Sequence, residues 1–428
     1  MEKQVFDQLQ ETAYHHKLKN GLQVYILPKK NFNKTFATFT TNYGSIDNHF
    51  IPLNQSDWKK VPDGIAHFLE HKMFEKPDGG DVFQDFGKQG ASTNAFTSFT
   101  RTAYLFSSTS QVMENLSTLI DFVQTPAFTE ESVEKEKGII GQEIRMYSDT
   151  PDWRVYFGLI ENMYHQHPIK IDIAGTIESI SHITKELLLD CYKTFYHPSN
   201  MLLFIVGPVD PDDIVTLVEK NQSKKEYTDQ QPIERQYPDE PKSVAKKEST
   251  VKMGVQTPKC LVGFKERDIH RSGSDLMKHE LSVQLLLELM FGRGTENYKA
   301  LIDEGLIDES FSFEYSEEYQ FGFSAIGGNT EDPEKLSQRL KEIIDDYKTG
   351  ILDEEAVERA RKKRIGSMLR ALNSPEYIAN QFTRYKFNSM DLFDLIPTLE
   401  ELTIEGLNQT LQEHFHDDAF TKCAVIKK

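Results

Sequence analysis

The stretch "DGIAHFLEHKMFEKPDG" (residues 63–79) sets two histidines, His67 and His71, four residues apart in an apolar run, with Glu70 directly before the second. One turn of α-helix takes about 3.6 residues, so the two imidazoles stand one above the other on one face, at a separation that suits a shared metal ion. Hydrolytic zinc sites use three protein ligands, leave a fourth position for water, and keep a carboxylate nearby to take a proton. His67 and His71 supply two ligands. Glu70, three residues after His67, can lean over the same metal as a general base. The third ligand has to come from another element, because one helical turn cannot close the coordination shell. Without such a ligand the motif would read as two surface histidines on a solvated helix.

A chain of 428 residues is too long for one ordinary core, which predicts at least two domains. Lysines and arginines number 49 against 67 acids, a net charge of −18. That balance argues against nucleic acid or an anionic membrane as a partner, and it suits a basic or neutral substrate as well as simple solubility. The opening "MEKQVFDQLQETAYHHKL" has no basic segment followed by an apolar one, and no apolar run approaches the ~18 residues that cross a bilayer. A cytoplasmic protein is expected. Cys191, Cys260 and Cys423 are odd in number and far apart, which reads as reduced thiols rather than a disulfide framework.

"NGLQVYILPKK" (20–30) and "KTFATFTTNYG" (34–44) alternate like strands, and "GASTNAFTSFTRTAYLFSST" (90–109) is rich in Thr, Phe and Tyr, which suit a pleated surface. Helical spacing returns in 111–126 and again in 129–146, where Thr129 caps a first turn of acids. Strands and helices do not alternate strictly, which predicts an α+β fold with mostly antiparallel sheets packed against helices. Residues 222–248 hold three prolines and almost no aliphatics, so they read as a linker between an N-terminal domain, 1–221, and a C-terminal domain, 249–428. The second half loosely repeats the element order of the first, without a residue-by-residue repeat.

Glu136 and Glu143, seven residues apart on the 129–146 helix, share one face, and either could reach a metal held by a neighbouring helix. Spacing alone does not choose between them, and an acid-rich helix is more often a solvated face.

"HFLEH", "NAFTSFTRTAY", "EKEKGIIGQEIRMYSDTP", "HPIKIDIAGTIESI" and "YHPSNMLLFIVG" follow one another in the order and approximate spacing of the pitrilysin/insulinase family of inverted-motif zinc peptidases, which the whole first half resembles. The resemblance implies zinc (Zn2+) bound by His67, His71 and Glu143, with Glu70 as base and Glu136 as the supporting acid behind the ligands. It implies that the stretch with Asn94, Ala95 and Thr97 is an edge strand that binds extended peptides by β-addition, with Phe68 also near the substrate. It implies two tandem related α+β domains closing as a clamshell. From His71 to Glu143 is 72 positions, a few fewer than the family's usual gap, which a trimmed loop would absorb.

The second half departs further. Self-sufficient members carry an Arg and a Tyr seven apart around a "G-L-x-Y" step, contacting the substrate carbonyl. Alignment of "YKALIDEGLIDESFSF" on Gly305 and Leu306 puts Leu301 and Asp308 in those places; Arg293, Tyr298, Tyr315 and Tyr319 lie nearby as substitutes. Losing one such donor typically costs on the order of a hundredfold in rate. The expectation is therefore a zinc endopeptidase acting on peptides or unfolded segments, the zinc-bearing subunit of a two-component processing peptidase whose related, inactive sister supplies the Arg/Tyr pair; a homodimer is the other assembly. A peptide-binding or maturation subunit that retains zinc without cleaving is the rival reading. Glu70 argues against it, because a purely structural zinc site needs no base.

Overall fold

The computed structural model describes residues 1–76 and 79–428. They form two compact units, one of Met1–Ile144, Asp172–Gln236 and Ala371–Phe387, the other of Arg145–Ile171, Tyr237–Arg370 and Asn388–Lys428. The division around the 222–248 linker is thus accompanied by two exchanges: a piece of the first half folds with the second unit, and a piece of the second half with the first.

In the first unit the strands are β1 (Glu2–Phe6), β2 (Glu11–Lys17), β3 (Gln23–Pro28), β4 (Thr35–Thr41), the short pair β5 (His49–Phe50) and β6 (Lys59–Lys60), β7 (Ala91–Thr97), β8 (Thr102–Ser108) and β9 (Met201–Gly207). The main sheet runs β1-β2-β3-β9-β4-β8-β7, with only β3 and β9 parallel. Every residue of β4 and β9 is buried, as their β-branched and aromatic runs require of strands covered on both faces. On one face lie the helices α1 (Ile65–Lys72), α2 (Val82–Lys88), α3 (Val112–Val123) and α4 (Glu130–Ser148), whose apolar residues share a core with Val24, Ile26 and Phe39. The other face is covered by helix Pro375–Phe387, whose Phe382 ring stacks on Phe204 of β9 at 4.4 Å and meets Tyr25 of β3 edge-on. That packing explains why Ala371–Phe387 belongs to this unit.

The 90–109 stretch is a hairpin of β7 and β8. Its turn closes through Ser98 N–H to the Arg101 carbonyl at 2.8 Å and is seated where Gly44 passes so close that a Cβ would meet the Phe99 carbonyl oxygen at 2.3 Å. β7 is the sheet's outer strand.

The second unit holds β10 (Glu248–Met253), β11 (Lys259–Lys265), β12 (Ser312–Glu318), β13 (Phe321–Asn329) and β14 (Phe420–Lys427), in the order β10-β14-β11-β13-β12. Only β10 and β14 are parallel. This repeats the β3-β9-β4-β8-β7 portion of the first sheet, strand for strand and direction for direction, so the fold is duplicated although the sequence shows no repeat. α5 (Pro151–Met163) packs on β10, β11 and β14; at its Gly158 a Cβ would meet the Cys423 sulfur at 2.6 Å. All three cysteines are free and buried. Among the described residues no helix is long and apolar enough to cross a membrane.

Candidate metal centre

Gly64 starts α1 with a positive φ of 87°, and a Cβ there would meet the Ala174 carbonyl oxygen at 2.4 Å. Only glycine accepts both conditions without strain. Ile65, Ala66, Phe68 and Leu69 are then buried in the core, which fixes the rotation of the helix and leaves His67, Glu70 and His71 on the face across from it. Phe68 is fully buried. It belongs to the core and not to a ligand surface, a correction to its expected place near substrate: one residue on a helix is about a 100° turn, so Phe68 cannot follow His67.

α4 is capped reciprocally, Thr129 Oγ1 accepting from Ser132 N–H at 3.1 Å and Ser132 Oγ from Thr129 N–H at 3.0 Å. Val133 and Ile140, seven apart, anchor it in the core; Glu136 and Glu143 follow each by three residues and so share a neighbouring face. That face meets α1. Glu143 Oε2 stands 3.8 Å from His67 Nε2 and 3.6 Å from His71 Nε2, and the two imidazole centroids are 4.5 Å apart. Glu136 Oε1 lies 3.0 Å from His71 Nδ1. The choice that spacing left open is resolved in space: Glu143 faces the two Nε2 atoms, and Glu136 holds the far side of one ring.

Two histidines and three carboxylates crowd this volume, and burial is the largest influence on His67, Glu70 and His71. His67 is lowered to about 3, first by burial and then by His71, so it is neutral and its lone pair is available. Burial acts against charge on His71 too, but the bond to Glu136 and the carboxylates of Glu70, Glu136 and Glu143 outweigh it and raise its pKa. Glu70 is raised chiefly by burial, although a hydrogen bond from Thr97 Oγ1 to Oε2, 2.6 Å, favours its ionised form. A raised carboxylate beside a ligand cluster is suited to accepting a proton.

The donors fit zinc. Two imidazole nitrogens and one carboxylate oxygen, each within 4.8 Å of the others, match a catalytic three-ligand set, and separations of 3.6–3.8 Å are near those that bonds of about 2.0–2.1 Å produce around one tetrahedral ion. Glu136 on His71 Nδ1 has the placement of an outer carboxylate that would fix the tautomer of a metal-binding histidine.

Lys72 has no place in the motif, yet it completes the setting. It is fully buried, bonds the Glu75 carboxylate and the Ser132 carbonyl (3.1 Å), and stands 3.9 Å from Glu136 Oε2. Its signal was in the sequence: Ile65, Leu69 and Lys72 keep one helical phase, so an ammonium was bound for the interior. Of the β7 residues, Asn94 is exposed, Ala95 packs on the core and Thr97 reaches Glu70. In the second unit Leu301 is buried and Asp308 accepts from Ser310 and Asn329. Tyr315 is only 5 % exposed and bonds Glu266 and Glu317, so it is not free to serve as the missing tyrosine. Arg293 lines a cavity of about 310 Å³ with Tyr298, Phe291 and Phe313, and Tyr319 is half-exposed.

Residues 59–177 match the insulinase family (peptidase family M16), and residues 182–364 match the peptidase M16 inactive domain. The uncharacterized zinc protease YmfH of Bacillus subtilis is 61% identical over 424 residues, covering 99% of this chain and 98% of that one. Zinc protease PqqE of Helicobacter pylori is 24% identical over 94% of this chain and 90% of its own. A crystal structure of an M16-like peptidase from Alicyclobacillus acidocaldarius superposes with a TM-score of 0.95 at 42% identity, covering 99% of this chain and all of that one. By sequence and by fold, this chain belongs to the insulinase (M16) peptidase family.

Proposed function

We propose that the chain is a zinc-dependent peptidase whose first unit carries the chemistry. The observation that carries this reading is the convergence of His67, His71 and Glu143 with a buried carboxylate, Glu70, that is not one of the three. Zinc held there supplies Lewis acidity toward water and the scissile carbonyl. His67 presents a neutral nitrogen, His71 would give up its Nε2 proton when the ion binds while Glu136 and Lys72 hold the ring in place, and Glu143 adds the anionic ligand. Glu70 takes a proton from the attacking water and returns it to the leaving amine. Thr97 keeps the Glu70 carboxylate turned toward that water. The free edge of β7 suits an extended peptide added as a further strand, which would align its amides beside Glu70.

The finer reading is that this chain works with a related chain. Leu301 and Asp308 offer no cationic or phenolic donor where the family places one, and Tyr315 is committed to other partners. A sister subunit with an Arg and a Tyr but no metal motif would supply them. The test is cleavage of a quenched-fluorescence peptide mixture by the zinc-loaded chain, with Glu70→Gln as the blank. Basal turnover absent from the blank, raised on the order of a hundredfold by such a sister, supports the full reading. A zinc-loaded chain no faster than its blank, alone or with the sister, overturns the peptidase reading in favour of a peptide-holding subunit.

A further inference from the structure

A second cluster of metal-binding side chains lies wholly inside the second unit. Glu266 follows β11, His279 rides on helix Gly273–Phe291, Tyr315 and Glu317 come from β12, and His414 ends helix Ile404–His414. All five are at most 6 % exposed. The helix that bears His279 lies between β11 and the β12–β13 hairpin in chain order, as α1 lies between β4 and the β7–β8 hairpin. In the duplicated fold it is therefore the counterpart of the helix that bears His67 and His71.

The local geometry repeats as well. At the first centre His71 has its Nδ1 held by one carboxylate at 3.0 Å and its Nε2 facing another at 3.6 Å. His279 has its Nδ1 held by Glu317 Oε2 at 2.8 Å and its Nε2 facing Glu266 Oε2 at 3.7 Å. Among the described residues His279 Nε2 has no hydrogen-bond partner, although it is buried. A buried ring nitrogen without a bond is costly, and an imidazole anchored by a carboxylate with its other nitrogen directed at a second carboxylate is the usual setting of a metal-bound histidine. Tyr315 Oη lies 3.0 Å from Glu266 Oε2 and 2.8 Å from Glu317 Oε2, adding an oxygen donor.

We propose that His279 and Glu266, with Glu317 holding the ring and offering the second carboxylate, bind a divalent cation that has a structural role in the second unit. Arg271 does not fill the site. Its Nη1 lies 3.2 and 3.3 Å from the Oε1 atoms of Glu266 and Glu317, while the Oε2 atoms are the ones turned toward His279, Tyr315 and His414. One guanidinium against two buried carboxylates leaves an excess of negative charge for a cation to offset. The rival occupant is a proton on His279, which would leave a buried N–H at Nε2 with no acceptor at hydrogen-bond distance. Mixed nitrogen and oxygen donors suit zinc or manganese.

This site stands apart from the peptidase reading, and its test does not use activity. The full-length chain carrying His67→Ala and His71→Ala is stripped with a chelator, loaded with zinc, desalted and measured by elemental mass spectrometry. About one zinc per chain is expected to remain, to be lost when His279→Gln is added, and to raise the thermal midpoint of the second unit. Absence of zinc from the double-alanine chain overturns the proposal, and so does zinc that persists in the presence of His279→Gln. Should His279→Gln fail to fold, zinc-edge anomalous diffraction from the double-alanine chain decides, a peak between His279 and Glu266 supporting the site and a peak only elsewhere overturning it.

Discussion

The chemistry proposed for Glu70 turns on a few contacts, and each can be removed singly. Glu70→Gln keeps the three ligands and is expected to keep zinc while cleavage falls by orders of magnitude; parallel zinc and activity assays check this. His67→Ala or Glu143→Ala is expected to lose the metal of the first unit itself, and Glu136→Gln to weaken zinc affinity about 10- to 100-fold by releasing His71, as competition with a chromophoric chelator would read. The Thr97 hydroxyl favours ionised Glu70. Its removal in Thr97→Val raises the Glu70 pKa further, so the acid limb of the kcat/KM profile moves to higher pH. The sign follows from the base being active only when ionised. His67, Glu70 and His71 were legible as a set in the sequence because one turn of helix fixes their spacing. Phe68 was misplaced because resemblance does not record which way a core residue points, whereas its helical phase does.

At the scale of elements, α1 depends on Gly64. Gly64→Ala puts a side chain at positive φ and against the Ala174 carbonyl, with an expected loss of about 1–3 kcal/mol, read from urea unfolding of the zinc-free chain. The helices and strands around the site were readable from periodicity and caps: Thr129 opens α4, β4 interleaves threonines with apolar residues, and β9 is a continuous apolar run. The opening residues were harder, because β1 and β2 are edge-ward strands with partly exposed, polar faces and little alternation to mark them. The strand character of 90–109 was readable from its composition, but its turn, Ser98–Arg101, is made by serine and backbone bonds with no glycine or proline to mark it. The choice of Glu143 over Glu136 was not in the spacing at all. The family resemblance implied it, and the packing of α4 against α1 puts Glu143 beside the two Nε2 atoms.

At the scale of the molecule, the sequence reports composition well and long-range exchange poorly. Nothing local in Ala371–Phe387 says that it covers the sheet of the first unit, because its stacking partners Phe204 and Tyr25 are more than 170 positions away. The duplicated topology was likewise visible only as a loose order of elements. The net charge of −18 has a kinetic consequence: cationic peptides are expected to be cleaved with a kcat/KM that falls between low salt and about 0.15 M, where the screening length shortens to about 8 Å. Neutral peptides of the same length should show no such fall.

The most direct measurement of the central claim is anomalous diffraction at the zinc absorption edge from crystals of the zinc-loaded chain. The expected result is a peak about 2.0–2.2 Å from His67 Nε2, His71 Nε2 and a Glu143 oxygen, with Glu70 outside the coordination shell and bonded to Thr97. No peak among those three residues, or a peak in which Glu70 is itself a ligand, would contradict the account.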